Sequence, residues 1–279
     1  MNKMLIPPQF NQLHVPDFAF GEVEAMIKTA KAEALAINDQ ARAKDLWISE
    51  TIIKIHQYHR RAFQHLLQKA YYKAWCEFES IENYLSELKV HFIYDKRSYH
   101  LWHIEKSLYQ FQILYPYRLF VAADVIKSKK ICSTCNQEVQ IHQLCEHEEG
   151  EIYKGEICKR ISVNKEMTNT RMMDNPRHKY NVAFFRDEEQ FENADAYDYR
   201  VIEEFVKQIK DPYQAWELEV EEKTRKPEAY AHLSRNQACR CGSGKAFMHC
   251  CMPKIGEKYP QYHCILKNSR EFQKKSKFL

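Results

Sequence analysis

Eight of the ten cysteines in this 279-residue chain fall into two short clusters. Thiolate and imidazole are the ligands that zinc prefers in tetrahedral protein sites. Clustered cysteines in a secreted protein instead form disulfides, but the N-terminal sequence lacks the apolar segment and the cleavage site of a secretory signal. No apolar run is long enough to predict a membrane span. We therefore predict metal binding in a reducing compartment and a cytoplasmic location.

The C-terminal cluster places four thiols within thirteen residues. A loop this short must bring four sulfur atoms within about 2.3 Å of one ion, which requires residues with positive φ. Gly242 and Gly244 lie between the two cysteine pairs and supply that freedom. The sequence predicts one zinc ion bound by Cys239, Cys241, Cys250 and Cys251.

The residues around these thiols follow a recognisable pattern, formed by Arg235, Asn236, Cys239, Cys241, Gly242, Ser243, Gly244, Lys245, Cys250 and Cys251. The pattern resembles the SEC-C motif, the zinc-binding tail of the preprotein translocase motor, which also occurs appended to many unrelated domains. Ala246 departs from the usual lysine, and the fourth ligand is cysteine where the translocase has histidine. The resemblance implies zinc binding and a docking role with Arg240, Lys245 and Lys254 as contact charges. The alternative is that zinc only folds the segment.

The central cluster begins with two cysteines at the two-residue spacing of a zinc knuckle. Its predicted ligands are Cys132, Cys135, Cys145 and His147, which brings the total to two zinc ions per chain. His142 and Cys158 compete as ligands, although each departs from the paired spacing, and we expect Cys158 to pack in the core as a small apolar residue. A thiol redox role is disfavoured because no thioredoxin-like pattern surrounds the first pair.

Residues 132–158 carry a second resemblance. The Cys-x2-Cys pair precedes Cys-x-His, a glycine, the tyrosine and glycine at Tyr153 and Gly155, and a further cysteine. This order is similar to a zinc-binding insertion in some phage prohead-protease-type and capsid-associated proteins. No Ser-His protease arrangement surrounds it, so the resemblance implies zinc binding without protease activity.

Helices should position the central cluster from its N-terminal side. No glycine or proline occurs between Gly21 and Pro116, and their absence favours helix. The apolar spacing predicts one helix over 20–37 and a second segment over 41–88, which breaks once or forms a helical hairpin. The alternation at 89–94 suits a strand or a helix end. The apolar segment 101–121 cannot be one continuous helix because Pro116 interrupts it.

The remaining pattern predicts short strands within 156–163 and 180–185 and helical periodicity over 196–222. The fold class is therefore α+β, with a predominantly helical N-terminal domain, a small mixed α/β region around the zinc knuckle, and a C-terminal SEC-C zinc module. The predicted segments are a helical domain at 1–118, the Cys/His region at 119–222, a linker at 223–236, the zinc module at 237–253 and a basic tail at 254–279.

Charge is distributed unevenly over the last third of the chain. Residues 187–222 hold 13 acidic and 3 basic side chains, and residues 223–279 hold 13 basic and 3 acidic ones. A basic block attracts acidic proteins and ribonucleoprotein surfaces, but it can also pair with the acidic stretch of the same chain. The sequence leaves these two uses open.

The helical region contains two histidine pairs at i, i+3 spacing, His56 with His59 and His100 with His103. The glutamate of a zinc-protease helix is missing after His56, so we expect these histidines to be interfacial or solvated. Arg60 lies in a basic, aromatic stretch that could contact nucleic acid, although glutamates interrupt it. No phosphate-binding loop or nucleophile elbow occurs, and we assign no catalytic residue.

These observations favour a bacterial-type cytoplasmic zinc-binding protein that acts as an adaptor. The basic tail would bind a protein or ribonucleoprotein partner, and the helical domain could support a homo-oligomer. The alternative is a nucleic-acid-acting effector, such as a nuclease-like enzyme of a defence system or mobile element, with structural zinc sites and active residues in the helical domain.

Overall fold

A computed structural model describes residues 7–126, 129–163, 166–186, 193–241 and 243–267. The described ranges contain helices and several small sheets, which confirms the α+β class. The helices are α1 (Phe20–Ala36), α2 (Gln40–Leu67), α3 (Tyr71–His91), α4 (Leu101–Leu114) and α5 (Arg200–Gln208). The strands are β1 (Phe120–Ile126), β2 (Lys129–Cys132), β3 (Glu138–Val139), β4 (Ile152–Tyr153), β5 (Glu156–Ile157), β6 (Arg160–Val163), β7 (Glu166–Met173), β8 (Phe185–Arg186), β9 (Asn193–Ala194), β10 (Trp216–Thr224) and β11 (Lys258–Leu266).

The chain forms two compact units, Met1–Tyr213 and Gln214–Leu279. The first contains α1 to α5 and β1 to β9, and the second contains β10, β11 and the C-terminal cysteine cluster. None of the helices in the described ranges combines the length and apolarity needed to cross a bilayer. The five predicted sequence segments stay a prediction.

Helices α2 and α3 form the predicted helical hairpin. The chain turns at Lys69, whose φ of 58° is unusual for a residue with a side chain. Tyr58 packs on Tyr84 with ring centroids 5.4 Å apart, and Arg61 pairs with Glu77 at 3.1 Å. The Arg61–Glu77 pair lies nearer the turn than the Tyr58–Tyr84 pair on both helices, so the two helices run antiparallel. Their shared core includes the fully buried side chains Ile48, Ile52, Ile55, Phe78, Ile81 and Leu88.

The helices bounding this hairpin end where the sequence predicts. Helix α1 covers the predicted range almost completely, and the Asp39 carboxylate accepts a hydrogen bond of 2.9 Å from the Arg42 N–H at the start of α2. Helix α4 ends two residues before Pro116. Helix α3 continues to His91 and residues 92–94 form no strand, so the alternation at 89–94 marks a helix end.

Short antiparallel strands follow α4 and carry the central cluster. Strands β1 and β7 form a ribbon, β2 lies between β3 and β6, and β4 pairs with β5. Strands β5 and β6 lie within the predicted extended run at 156–163. In the other predicted run, Val182 forms a single bridge with Phe120, and Phe185 begins β8.

The second unit corrects one prediction. Helical periodicity was expected over 196–222, but α5 ends at Gln208 and β10 begins at Trp216. Trp216, Leu218 and Val220 alternate with glutamates, which is the period of a strand. All nine residues of β10 pair with β11, which lies more than thirty residues later in the chain. The partner of this strand was therefore too distant for a local pattern to reveal.

The hairpin of β4 and β5 docks on the helices through Gly155. A Cβ atom added at Gly155 would lie 2.6 Å from Cε of Lys31, whose amine pairs with Glu50 at 2.9 Å. Because Gly155 also has a φ of +68°, we expect Gly155→Ala to lower the free energy of unfolding by about 1–2 kcal/mol. Chemical denaturation measures this change.

Gly150→Ala is the matched control. Gly150 also has a positive φ, of +93°, but nothing lies within 4 Å of the added Cβ atom. Its cost should come from the backbone alone and leave the Lys31 contact intact. Restoration of stability by adding Lys31→Ala to Gly155→Ala, but not to Gly150→Ala, would confirm the contact. Equal behaviour of the two double variants would contradict it.

Candidate metal centres

Cys132 and Cys135 lie in a tight turn that leads out of β2. The Cys132 N–H donates to Gln137 O at 2.9 Å, and the Asn136 N–H donates to Cys132 O at 2.8 Å. Asn136 has a φ of 58°, which asparagine tolerates better than most residues. The turn holds both thiols on the same side of the β3-β2-β6 sheet edge, as expected of a zinc knuckle.

Hydrogen bonds in this turn prepare Cys132 to act as a thiolate. Burial raises the pKa of its thiol, but the backbone N–H groups of Cys135 and Thr134 outweigh burial and hold the pKa well below its usual range. A thiolate that accepts several hydrogen bonds is stabilised in its charged form. A metal ligand requires that form.

Cys145 and His147 approach from the loop that leads into β4. The His147 ring lies edge-on against Tyr153, with centroids 4.7 Å apart, and the Glu148 N–H donates to the Tyr153 hydroxyl at 3.0 Å. The guanidinium of Arg160 donates to Cys145 Sγ at 3.2 Å and to the His147 carbonyl. Strands β4 and β6 therefore fix the second pair of donors relative to the first.

The structure brings all four predicted central donors together. The sulfurs of Cys132, Cys135 and Cys145 and one ring nitrogen of His147 all lie within 4.8 Å of one another. The Nδ1 atom of His147 is buried and has no hydrogen-bond partner among the described residues. An unpaired buried nitrogen beside three thiols is the arrangement that a metal ion would satisfy.

The two competing residues differ in position. His142 is exposed and belongs to neither metal-binding group found among the described residues. Cys158 is fully buried, as expected of a small apolar residue, but its Sγ atom lies 3.6 Å from Sγ of Cys132. This thiol therefore adjoins the cluster.

The C-terminal cluster is built on a short backbone framework. The Cys239 N–H donates to Lys245 O at 2.8 Å, and the Phe247 N–H donates to Gln237 O at 2.8 Å. Gly244 has the predicted positive φ, of +74°, whereas Gly242 lies outside the described residues. These bonds return the chain so that the second cysteine pair meets the first.

All four C-terminal thiols converge, with their sulfurs within 4.8 Å of one another. Cys241 Sγ and Cys250 Sγ lie 3.4 Å apart, and the Ser243 hydroxyl lies 3.0 Å from Cys250 Sγ. Burial raises the pKa of Cys241, but hydrogen bonds from Ser243 and Cys250 lower it to about 6. Burial and the neighbouring thiols of Cys239 and Cys241 raise the pKa of Cys251 to about 12. Such divergence is expected of neighbouring thiols whose negative charges repel one another, and a bound cation would relieve that repulsion.

The apolar core around this cluster is very small. Its buried residues are Cys239, Phe247 and Cys251, and Tyr230 stacks on Phe247 at a centroid distance of 5.5 Å. The partly buried side chains packed against them are Tyr230, Leu233, Cys250, Met252 and Ile255. Two of the three buried members are the predicted ligands themselves. A core of this size gives little hydrophobic stabilisation, and in small modules of this kind metal ligation can supply folding energy.

The donor sets of both clusters fit tetrahedral zinc. Ligands about 2.3 Å from an ion place neighbouring sulfurs about 3.8 Å apart. The donor atoms of each cluster lie within 4.8 Å of one another, and Cys241 Sγ and Cys250 Sγ are 3.4 Å apart. All ten cysteines are free, so no disulfide competes for these thiols. Two separate Cys/His clusters in this chain could therefore each hold a metal ion.

The helical histidines gather around Tyr213 rather than facing solvent. His56 and His59 are buried, which corrects the expectation that they are interfacial or solvated. His56 contacts the Tyr213 hydroxyl at 2.7 Å through Nδ1 and Tyr99 O at 2.8 Å through Nε2, and His59 Nε2 contacts Pro212 O at 2.9 Å. The rings around Tyr213 are those of His14, His56, His59, His100 and His103. These side chains form no metal-binding group among the described residues.

Comparison with known proteins identifies one of the two centres. Residues 235–253 match the family model described as the SEC-C motif, a zinc-binding motif, and the converging thiols lie within that match. No curated protein and no solved structure matches the chain. The similarity of residues 132–158 to the phage insertion stays a prediction.

Proposed function

We propose that the protein binds two zinc ions and acts as an adaptor, with the SEC-C module docking on an acidic surface of a protein or ribonucleoprotein partner in the cytoplasm. The zinc ions would hold two segments that contain few apolar residues. The match to the SEC-C motif and the two converging donor sets support the zinc sites. The charge distribution within the second unit supports docking.

The basic residues of the second unit divide into two groups. Lys258 of β11 pairs with Glu222 at 2.6 Å, and Lys267, which follows β11, pairs with Glu217 at 3.0 Å. These two lysines therefore offset part of the acidic charge of β10. The sequence left open whether the basic block binds a partner or pairs with the acidic stretch of the same chain. These ion pairs are of the second kind, and they lie along the ribbon formed by β10 and β11. The zinc module lies outside it.

The cations of the zinc module remain exposed. Arg235, Arg240, Lys245 and Lys254 form no ion pair with any carboxylate in the described part of the chain. In sequence they surround the four thiols: Arg235, Arg240 and Lys245 lie within the SEC-C match, and Lys254 follows its last residue. Four uncompensated positive charges on a module of this size attract an anionic partner. This observation carries the proposal.

Neutralising the module charges tests docking. We expect Arg240→Gln/Lys245→Gln/Lys254→Gln to reduce capture of the partner by the full-length chain by at least about tenfold, because rim charges govern association. The matched control is Lys223→Gln/Lys258→Gln/Lys267→Gln, which removes the same charge from the ribbon. Quantitative affinity enrichment of crosslinked complexes measures recovery, with and without ribonuclease.

The control separates local docking from a general effect of net charge. Equal loss from both triple variants would show that charge alone governs capture, and unchanged capture by the module variant would remove the docking proposal. Metal analysis of both variants confirms that each retains its zinc. Loss of the captured material after ribonuclease treatment assigns the partner to a ribonucleoprotein, whereas its retention assigns it to a protein.

The alternative is a nucleic-acid-acting effector, and the cluster around Tyr213 is the observation that favours it. Five imidazoles close to one phenol can exchange protons. However, His56 and His59 are buried and bonded to backbone carbonyls, which suits a structural role better than access to a polymer. Incubation with DNA and RNA decides the question. Cleavage that survives removal of residues 225–257 but not His59→Gln would establish the alternative.

A further inference from the structure

Cys158 lies opposite the first cysteine of the central centre. Strand β6 pairs with β2 so that Arg160 is the partner of Cys132. The pairing continues beyond Cys132, because the Ser133 N–H donates to Lys159 O at 2.9 Å. Cys158 lies two residues before Arg160, in the segment that leads into β6, and side chains two residues apart on an extended chain point to the same side. The Cys158 side chain is therefore on the same side as the sulfur of Cys132.

The distance and surroundings of this thiol suit a ligand better than a packing residue. Its Sγ atom lies 3.6 Å from Sγ of Cys132, whereas tetrahedral zinc places neighbouring sulfurs about 3.8 Å apart. Both Cys132 and Cys158 are fully buried, so the two sulfurs share one dry site.

We propose that Cys158 is a fifth donor of the central metal centre and exchanges with His147 for the fourth position around the ion. The inference rests on the zinc binding proposed above. A tetrahedral ion accepts four donors, and the four mutually close ones here are the sulfurs of Cys132, Cys135 and Cys145 and one ring nitrogen of His147. The Cys158 sulfur is a further thiol beside this group, 3.6 Å from Sγ of Cys132. His147 is the donor replaced, because its side chain is half-buried and Tyr153 is the one ring that contacts it among the described residues.

Arg160 makes the all-sulfur state tolerable. Replacing a neutral imidazole with a thiolate adds one negative charge to the site. The Arg160 guanidinium lies 3.2 Å from Cys145 Sγ and offsets that charge locally. The centre therefore has two states, one with three sulfurs and one nitrogen and one with four sulfurs, which hold the same ion with different net charge.

Single and double variants of the full-length chain test the exchange. We expect His147→Ala and Cys158→Val each to retain about two zinc ions per chain, and the double variant to retain about one. Valine fills the space of the thiol, so loss of metal in the double variant cannot be assigned to a cavity. Elemental analysis gives the stoichiometry, and circular dichroism checks that the helices remain folded.

Cobalt substitution identifies the donors. In His147→Ala, the thiolate-to-cobalt absorption of the central centre should correspond to four sulfurs, and in Cys158→Val it should correspond to three. The absorption of His147→Ala should therefore be about a third more intense than that of Cys158→Val. Loss of one ion from His147→Ala alone would show that Cys158 is not a ligand. Loss of one ion from Cys158→Val alone would show a fixed ligand without exchange, and two ions in the double variant would show that neither residue binds.

The outcome is separable from failure of zinc binding itself. A wild-type chain without metal would contradict the proposed zinc binding. A wild-type chain with two ions, together with loss of one ion from either single variant, would contradict only the exchange. Cys76→Val is the matched control, because Cys76 is a half-buried thiol on α3 outside both clusters. It should retain both ions and the wild-type cobalt spectrum.

Discussion

Replacing Cys251 with serine is expected to release the metal of the C-terminal centre and unfold residues 235–255. The physical reason is the size of the core, which has three buried members, two of them ligands. Structural zinc contributes roughly 10 kcal/mol or more to the folding of comparable small modules, far more than three buried side chains supply. Elemental analysis should therefore show one ion fewer per chain, and limited proteolysis should cut within the module.

Cys264→Ser is the control for this variant. Cys264 is a half-buried free thiol on β11 and belongs to neither cluster. It should keep both ions and resist the protease as the wild type does. A Cys251→Ser chain that still carried two ions and an intact module would contradict a metal-dependent fold.

Acidification is expected to destabilise the first unit through the buried histidines. Burial lowers the pKa of His59 from its ordinary 6.5 to about 3, and burial also holds the pKa of His56 well below its usual range. Below pH 6.5 the unfolded chain binds protons that these two folded imidazoles do not. Stability is therefore intact above that pH and falls as the pH decreases, by roughly 2.7 kcal/mol per pH unit for the two residues together.

His59→Gln isolates this effect from other acid-sensitive groups. Glutamine can still donate to Pro212 O but cannot take up a proton. The number of protons bound on unfolding, which the slope of unfolding free energy against pH gives, should therefore fall by about one between pH 6 and 4. The charged groups facing the cluster are Arg60, Lys106 and Asp211, and all three are unchanged in this variant. Urea denaturation at several pH values measures the slope. An unchanged slope would show that His59 is protonated in the folded state.

The sequence predicted the helices and the two groups of converging donors because each depends on local pattern, whereas metal binding by these donors stays a prediction. Ligand spacing alone brought the eight predicted donors into two groups, and the absence of glycine and proline predicted α1 to α4. The break between α2 and α3 was expected, but its position was not, because Lys69 adopts a positive φ without the usual glycine. No local signal identifies a lysine in that conformation.

Features that depend on distant pairing were missed. Helical periodicity was extended through Trp216 because the strand partner of β10 lies beyond the whole zinc module. The histidines were expected at the surface because their common neighbour, Tyr213, is more than a hundred residues away from each of them in sequence. Cys158 is buried as expected, but its contact with Cys132 depends on the register of β6 with β2 and was not predicted.

The ribbon of β10 and β11 determines how the zinc module is attached. Pairing continues past the strands, since the Arg225 N–H donates to Glu257 O at 3.0 Å and the Gly256 N–H donates to Arg225 O at 2.8 Å. Both ends of the module therefore emerge side by side, on a stalk of nine residue pairs that is roughly 30 Å long. Residues 226–256 thus form a cassette with two adjacent attachment points, which can be grafted onto any host hairpin or replaced by a two-residue turn without cutting the ribbon.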